Sequence, residues 1–190
     1  MDKPPEYTLE VSADRAHIRD VVIGLLHVIC FHRCFMPLQP ATQDILDMTL
    51  PYVSEDDIEN LIETKTNAFI RQVEASTVQA AQSQPKPGRG TLVVNFQEKK
   101  RKNRGWFVAK ADEETVWETW VIDVTLTSAR SEPEAARNRR QMEAQLQTAA
   151  MTIVETVNRE RDHIPPITSN DSNFPFQIMV NPKPEVWSPR

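Results

Sequence analysis

The sequence predicts an α+β fold, a mostly antiparallel sheet with three main helices packed on one face. Three observations predict it. Stretches with the helical apolar period and stretches of period two follow one another in the order strand, helix, helix, two strands, helix, strand. Each helical stretch carries apolar side chains that need a covering layer, and the proline clusters fall between elements rather than inside them. A chain of 190 residues and 21.8 kDa is expected to form a single domain, 1–190, able to bury a core without disulfides or metals. No internal repeat is visible.

Tyr7-Thr8-Leu9-Glu10-Val11 alternates and ends at Ser12, which suits a short strand leading into a helix. That helix is expected over residues 13–35. Ile18, Val21, Val22, Leu25, Leu26, Val28, Ile29 and Phe31 cover more than one stripe, so it should lie buried against the sheet. Pro37 and Pro40 end it, and the chain to Tyr52 reads as an irregular connection with one weak strand. Ser54-Glu55-Asp56-Asp57 announces a second helix, a Ser cap followed by carboxylates that complement the helix dipole. Ile58, Leu61, Ile62, Phe69 and Val73 mark its apolar face. Residues 76–90, rich in Gln, Ser, Pro and Gly, are expected to form a flexible loop.

Strand pattern returns at Thr91-Leu92-Val93-Val94-Asn95-Phe96 and again over residues 116–127. In the second run the period of two puts Trp120, Ile122, Val124 and Leu126 on one face and Trp117, Thr119, Asp123 and Thr125 on the other. The two runs read as antiparallel neighbours joined by a long hairpin loop. Ser131-Glu132-Pro133-Glu134 then supplies a cap, an early proline and a Glu three residues on, the clearest helix start in the chain. Met142, Leu146, Ala149, Ile153 and Val157 form the stripe of this third helix, expected to end near Asn158 or Arg159. Residues 160–190 form a Pro-rich C-terminal segment. Within it residues 174–180 resemble a strand, which Pro175 confines to an edge or a strand start.

Composition excludes several functions. A net charge of −5 and a pI near 5.4 argue against a surface built for nucleic acid, so any basic function is local. The longest apolar run, residues 21–31, is interrupted by His27 and falls short of a membrane span. Cys30 and Cys34 sit in an apolar helix with no signal-peptide pattern before them, which points to a reducing, cytoplasmic compartment. His27, Cys30 and Cys34 share a helical spacing, with His32 nearby, but the surrounding Leu, Val, Ile and Phe suit small buried hydrophobes and satisfied histidines better than metal ligands. With 4 glycines and no phosphate loop, nucleophile elbow or paired metal motif, an enzyme is not expected, and neither a metal nor a cofactor is implied.

The most telling local feature is Trp106-Phe107, at the end of the run Gln97-Glu98-Lys99-Lys100-Arg101-Lys102-Asn103-Arg104-Gly105. Two large aromatics in so polar a segment either fold back on their own domain or fill a partner's pocket. Lys99, Lys100, Arg101, Lys102 and Arg104 could meet phosphate, with the aromatics at a membrane surface, or form a solvated hairpin end.

Leu9-Glu10-Val11-Ser12, then Leu25-Leu26-His27 and Phe31-His32-Arg33, then Phe96-Gln97-Glu98-Lys99-Lys100 and Trp106-Phe107 follow in a distinctive order. They continue with Trp117-Glu118-Thr119-Trp120-Val121, Ile153-Val154-Glu155-Thr156-Val157-Asn158-Arg159 and Phe176-Gln177-Ile178. In that order and spacing the chain resembles the autophagy-related protein 101 family, HORMA-domain subunits of the autophagy-initiation kinase complex. The resemblance covers nearly the whole chain, weakening over residues 35–52 and beyond Asn181. It implies a HORMA fold and a non-enzymatic scaffold that pairs with the HORMA domain of autophagy-related protein 13 and stabilises it. It further implies a cytoplasmic protein recruited to the preautophagosomal structure. Trp106 and Phe107 would be the family's Trp-Phe finger, recruiting downstream autophagy factors; here the two are adjacent, without the intervening proline of other members.

As in HORMA dimers generally, the pairing surface would combine the exposed part of the third helix with His32 and Arg33, two residues that a helix C-terminus explains equally well by its dipole. The alternative is a peptide-trapping HORMA module of checkpoint or repair signalling. The proline-rich residues after Asn158 look too few and too interrupted for its belt of new strands.

Overall fold

A computed structural model describes residues 3–80, 87–101, 112–166 and 175–183. In β1 (Glu6–Asp14) alternation buries Leu9, Val11 and Ala13 on one face. The strand runs further than its pattern, to Asp14, whose Oδ1 accepts the amides of Ala16 and His17 at 2.9 Å and turns the chain. α1 (Ile18–Arg33) therefore starts later than expected, and it is buried continuously from Val21 to Cys30.

Residues 40–53 correct the expectation of an irregular connection. They form a hairpin of β2 (Pro40–Ile45) and β3 (Met48–Val53), closed by Leu46 at a φ of 54°. The prolines sit where strands tolerate them, at the first position of β2 and in a two-stranded ribbon, so they do not forbid the pairing. Ile45, Leu50 and Val53 cover the face of α1 that the main sheet leaves open, close enough that Gly24 has no room for a side chain without displacing Ile45.

α2 (Asp56–Ala80) begins at Glu55, whose carbonyl accepts the amides of Ile58 and Glu59, both at 2.9 Å, one position beyond the predicted Ser54 cap. It continues through residues 76–80, expected in a flexible loop. There Ser76 and Thr77 donate their hydroxyls to the carbonyl of Val73, at 2.7 and 2.9 Å, within the helix instead of competing with it. The rest of the expected loop, residues 81–86, lies outside the described residues.

β4 (Arg89–Arg101) and β5 (Asp112–Thr127) form the longest ladder, and the main sheet has the order β1-β5-β4-β6 with β6 at Phe176–Val180. β1 pairs parallel with β5, while β4 pairs antiparallel with both β5 and β6. Pro175 precedes β6, which occupies an edge as predicted. α3 (Glu132–Arg159) starts as its sequence indicates, Ser131 Oγ accepting the amide of Glu134, and Met142, Leu146, Ala149, Ile153 and Val157 are all buried. The architecture is α+β and consistent with a HORMA-like fold.

One face assignment is corrected. The ladder pairs Phe96 with Glu118 but Gln97 with Val116, so a β-bulge leaves Trp117 as the extra residue. Trp117 thereby leaves the face of Thr119 and joins the core, its ring 5.6 Å from that of Phe96 and 6.5 Å from that of Phe35. The even-numbered face of β5 keeps Trp120, Ile122, Val124 and Leu126 buried, as predicted.

α2 meets the sheet at Gly90, where a Cβ would lie 2.5 Å from the ring of Phe69 and 2.7 Å from Val73. Gly90→Val is expected to destabilise the chain by about 2 kcal/mol through overpacking, read as a lower urea midpoint with an unchanged slope.

Candidate functional site

The end of α1, the middle of β5 and the end of α3 converge on one carboxylate. Glu118 is 0 % exposed, and both its oxygens accept from Arg33 Nε, at 2.8 and 2.9 Å. Trp120 Nε1 donates to Oε1 at 2.5 Å and His163 Nε2 lies 2.7 Å from Oε2. The rest of the guanidinium turns to α3, donating to the carbonyls of Val157 at 3.5 Å and Glu160 at 3.0 Å. Those are orphan carbonyls of a helix terminus, so Arg33 caps α3 while it neutralises Glu118. Tyr7 closes the arrangement from β1, its ring 4.8 Å from that of Trp120, and burial pushes its hydroxyl pKa up.

Arg33 is 2 % exposed, which corrects its expected place on a pairing surface: a residue whose donors are spent on Glu118 and α3 offers nothing to a partner. His32, beside it, is half-buried, its ring edge-on to Phe31, with Nε2 buried and lacking a hydrogen-bond partner among the described residues. Burial, with the nearby Arg33 charge, holds its pKa below the ordinary histidine value.

The cluster of His27, Cys30 and Cys34 is structural. His27 Nδ1 accepts the amide of Val53 at 3.3 Å, tying α1 to the β2–β3 hairpin, and burial lowers its pKa to about 4. Cys30 and Cys34 are free and buried; a hydrogen bond to Cys34, then burial, raises the Cys30 thiol well above the ordinary range. Neither thiol has the accessible, electropositive setting that a nucleophile needs.

The basic run is divided by the fold. Lys99, Lys100 and Arg101 lie on β4 rather than in a loop, in register with Glu114, Glu113 and Asp112. Lys102, Arg104, Trp106 and Phe107 lie outside the described residues.

A surface appears on α3. From Ala144 to Val154 the helix has no charged residue, although Ala144, Gln147, Thr148 and Met151 face solvent. Met151 is the large apolar side chain left exposed among the described residues, at 51 %. Thr148 and Thr152 donate their hydroxyls back to the carbonyls of Ala144 and Thr148, both at 2.8 Å, so their polar groups are satisfied within the helix. A face built this way loses little on leaving water. This part of the third helix belongs to the expected pairing surface, whereas the role of Glu118 is signalled in the sequence only by a lone carboxylate in the strand Trp117-Glu118-Thr119-Trp120-Val121.

A family model described as Autophagy-related protein 101 matches residues 10–171. The chain belongs to that family. It is 26 % identical to Autophagy-related protein 101 of Arabidopsis thaliana, over 90 % of this chain and 84 % of the relative. It is equally similar, at 26 %, to Autophagy-related protein 101 of Schizosaccharomyces pombe, over 95 % and 89 %. With Autophagy-related protein 101 of Homo sapiens the identity is 24 %, over 80 % of this chain and 71 % of the relative. Among the described residues no helix is long and apolar enough to cross a membrane.

Removing one partner of the buried pair leaves the other charge uncompensated. Glu118→Gln should cost about 3–5 kcal/mol, and the double change Arg33→Met/Glu118→Gln should cost less than the sum of the two single changes in urea denaturation. Because His27 binds its proton only near pH 4 when folded but near pH 6.5 when unfolded, its contribution is complete above pH 6.5 and lost as pH falls towards 4. His27→Gln should flatten the decline of stability across that window, measured by denaturation at a series of pH values.

Proposed function

We propose that this chain is a non-enzymatic adaptor of autophagy initiation that pairs with the HORMA domain of autophagy-related protein 13 and stabilises it. The observation that carries the reading is the uncharged outward face of α3 around Met151, in a chain of the autophagy-related protein 101 family. An interface core is depleted of charge and tolerates satisfied small polar groups, which describes residues 144–154. His32 belongs at the rim of this surface; Arg33 acts from beneath, by holding the end of α3.

In this reading Trp106 and Phe107 recruit downstream autophagy factors to the preautophagosomal structure from the cytoplasm. Their position in the chain between Arg101 and Asp112, the last pair of the β4–β5 ladder, supports a role at the end of that hairpin. The acidic residues opposite Lys99, Lys100 and Arg101 weaken the case for a membrane surface as the primary partner. The anchoring of Glu160 and His163 to the core favours a fixed C-terminal path over a belt that opens around a peptide.

Light scattering on the chain with the HORMA domain of autophagy-related protein 13 should give a one-to-one complex. Met151→Glu should weaken it about tenfold or more with little change in melting temperature, since the residue is exposed in the free chain. Trp106→Ala/Phe107→Ala should leave folding and pairing intact and abolish autophagosome formation. A monomer that ignores the folded partner would overturn the adaptor reading.

A further inference from the structure

β1 is an edge strand of nine residues. Its pairing phase follows from two bonds. Thr119 donates to the carbonyl of Pro5, so the odd-numbered residues of β1 spend their backbone groups on β5. Ser12, even-numbered, points its amide away from the sheet and gives it to Gln145 Oε1 of α3 at 2.7 Å. Thr8 and Glu10 have the same outward phase as Ser12, and their outward amides and carbonyls have no partner among the described residues.

These groups open into a groove of about 460 Å³ between β1 and α3. Its helix wall consists of small or uncharged side chains, Ala144, Gln145, Thr148 and Thr152 among them, and Glu10 is the one charged residue among the described residues that line it. Gln145 fills one end with a carboxamide, which is the chemistry of a peptide bond. The chain thus already carries out at Ser12 the bond that a neighbouring strand would make at Thr8 and Glu10.

We propose that this groove takes an extended segment of a partner polypeptide, added as a fifth strand beside β1. The occupant alternates. Side chains on the face of Thr8 and Glu10 would be Lys or Arg, set against Glu10 and Glu6; those on the other face would be small or β-branched, set against the wall of α3. The same glutamates disfavour edge-to-edge pairing of two copies of this chain, so the charge pattern selects a basic partner strand and rejects a self-pair. The mode is strand addition, in which main-chain bonds supply affinity and alternate side chains supply selectivity. The groove shares Ala144, Thr148 and Thr152 with the face proposed for pairing, and a titration of the chain alone reads the groove apart from that pairing.

The test is titration of the isotope-labelled full chain with acetyl-Val-Lys-Val-Lys-Val-Lys-amide, followed by amide chemical shifts and hydrogen exchange. Saturable shifts are expected in β1 and in the flank of α3 facing it, with new protection of the Thr8 and Glu10 amides. Of two peptides N-methylated on either the lysine or the valine amides, one should lose binding and the other keep it, because only alternate amides face β1. Glu10→Lys should weaken binding about tenfold, and Thr148→Arg, which fills the groove from an exposed position, should abolish it. No shifts up to about 1 mM peptide, equal binding of the two methylated peptides, or shifts confined to β6 would each overturn the proposal. Because the titration uses the chain alone, its failure leaves the pairing experiment unaffected.

Discussion

The buried pair of Arg33 and Glu118 is the constraint on which the rest of the structure depends. Two charges taken out of water are costly unless their remaining hydrogen-bonding capacity is used, and here it is. Glu118 accepts from Arg33 and Trp120 and meets His163, while Arg33 reaches two carbonyls at the end of α3. An apolar replacement of the same volume could match such a pair in stability. It would lack the directional hold on the angle at which α1, β5 and α3 meet, because dispersion contacts lack the direction of a guanidinium fork.

This geometry bears directly on the surface proposed for pairing. α3 is held at its start by the Ser131 cap, in its middle by Gln145 on Ser12, and at its end by Arg33. A helix fixed at three points presents its outward face in a set orientation, so little ordering remains for a partner to impose. The bulge at Phe96 and Gln97 contributes at the same end of the molecule. It turns Trp117 inward to meet His163, at 5.8 Å between rings, and so packs the segment that follows α3.

Much of the fold was legible because local chemistry and tertiary packing agree. The stripe of α3, its Ser131 start and the even-numbered face of β5 all follow from periodicity and capping. The β2–β3 hairpin was not legible. Its prolines are strong breaker signals, and only the apolar surface of α1 beneath it makes the pairing worthwhile. The end of α2 was obscured because Gln, Ser and Thr suit loops by composition, whereas in the structure Ser76 and Thr77 satisfy themselves on a helical carbonyl. Arg33 reads as an ordinary basic helix end, and Glu118 as the polar half of an alternating strand. Their attraction across the core is a property of topology, which no window of the sequence contains. The bulge misled for the same reason, since a period-two count has no way to register one extra residue.

The parallel pairing of β1 with β5 carries a consequence for the order in which the molecule assembles. Glu6 lies beside Thr119, and α3, which packs on β1, comes later still in the chain. Contacts so far apart in sequence require closure of a loop of about a hundred residues before they yield any stabilisation. During synthesis β1 therefore leaves the ribosome well before the strand it pairs with. Until β5 emerges, both edges of β1 are open, and the period of greatest exposure to misassociation falls while the chain is being made.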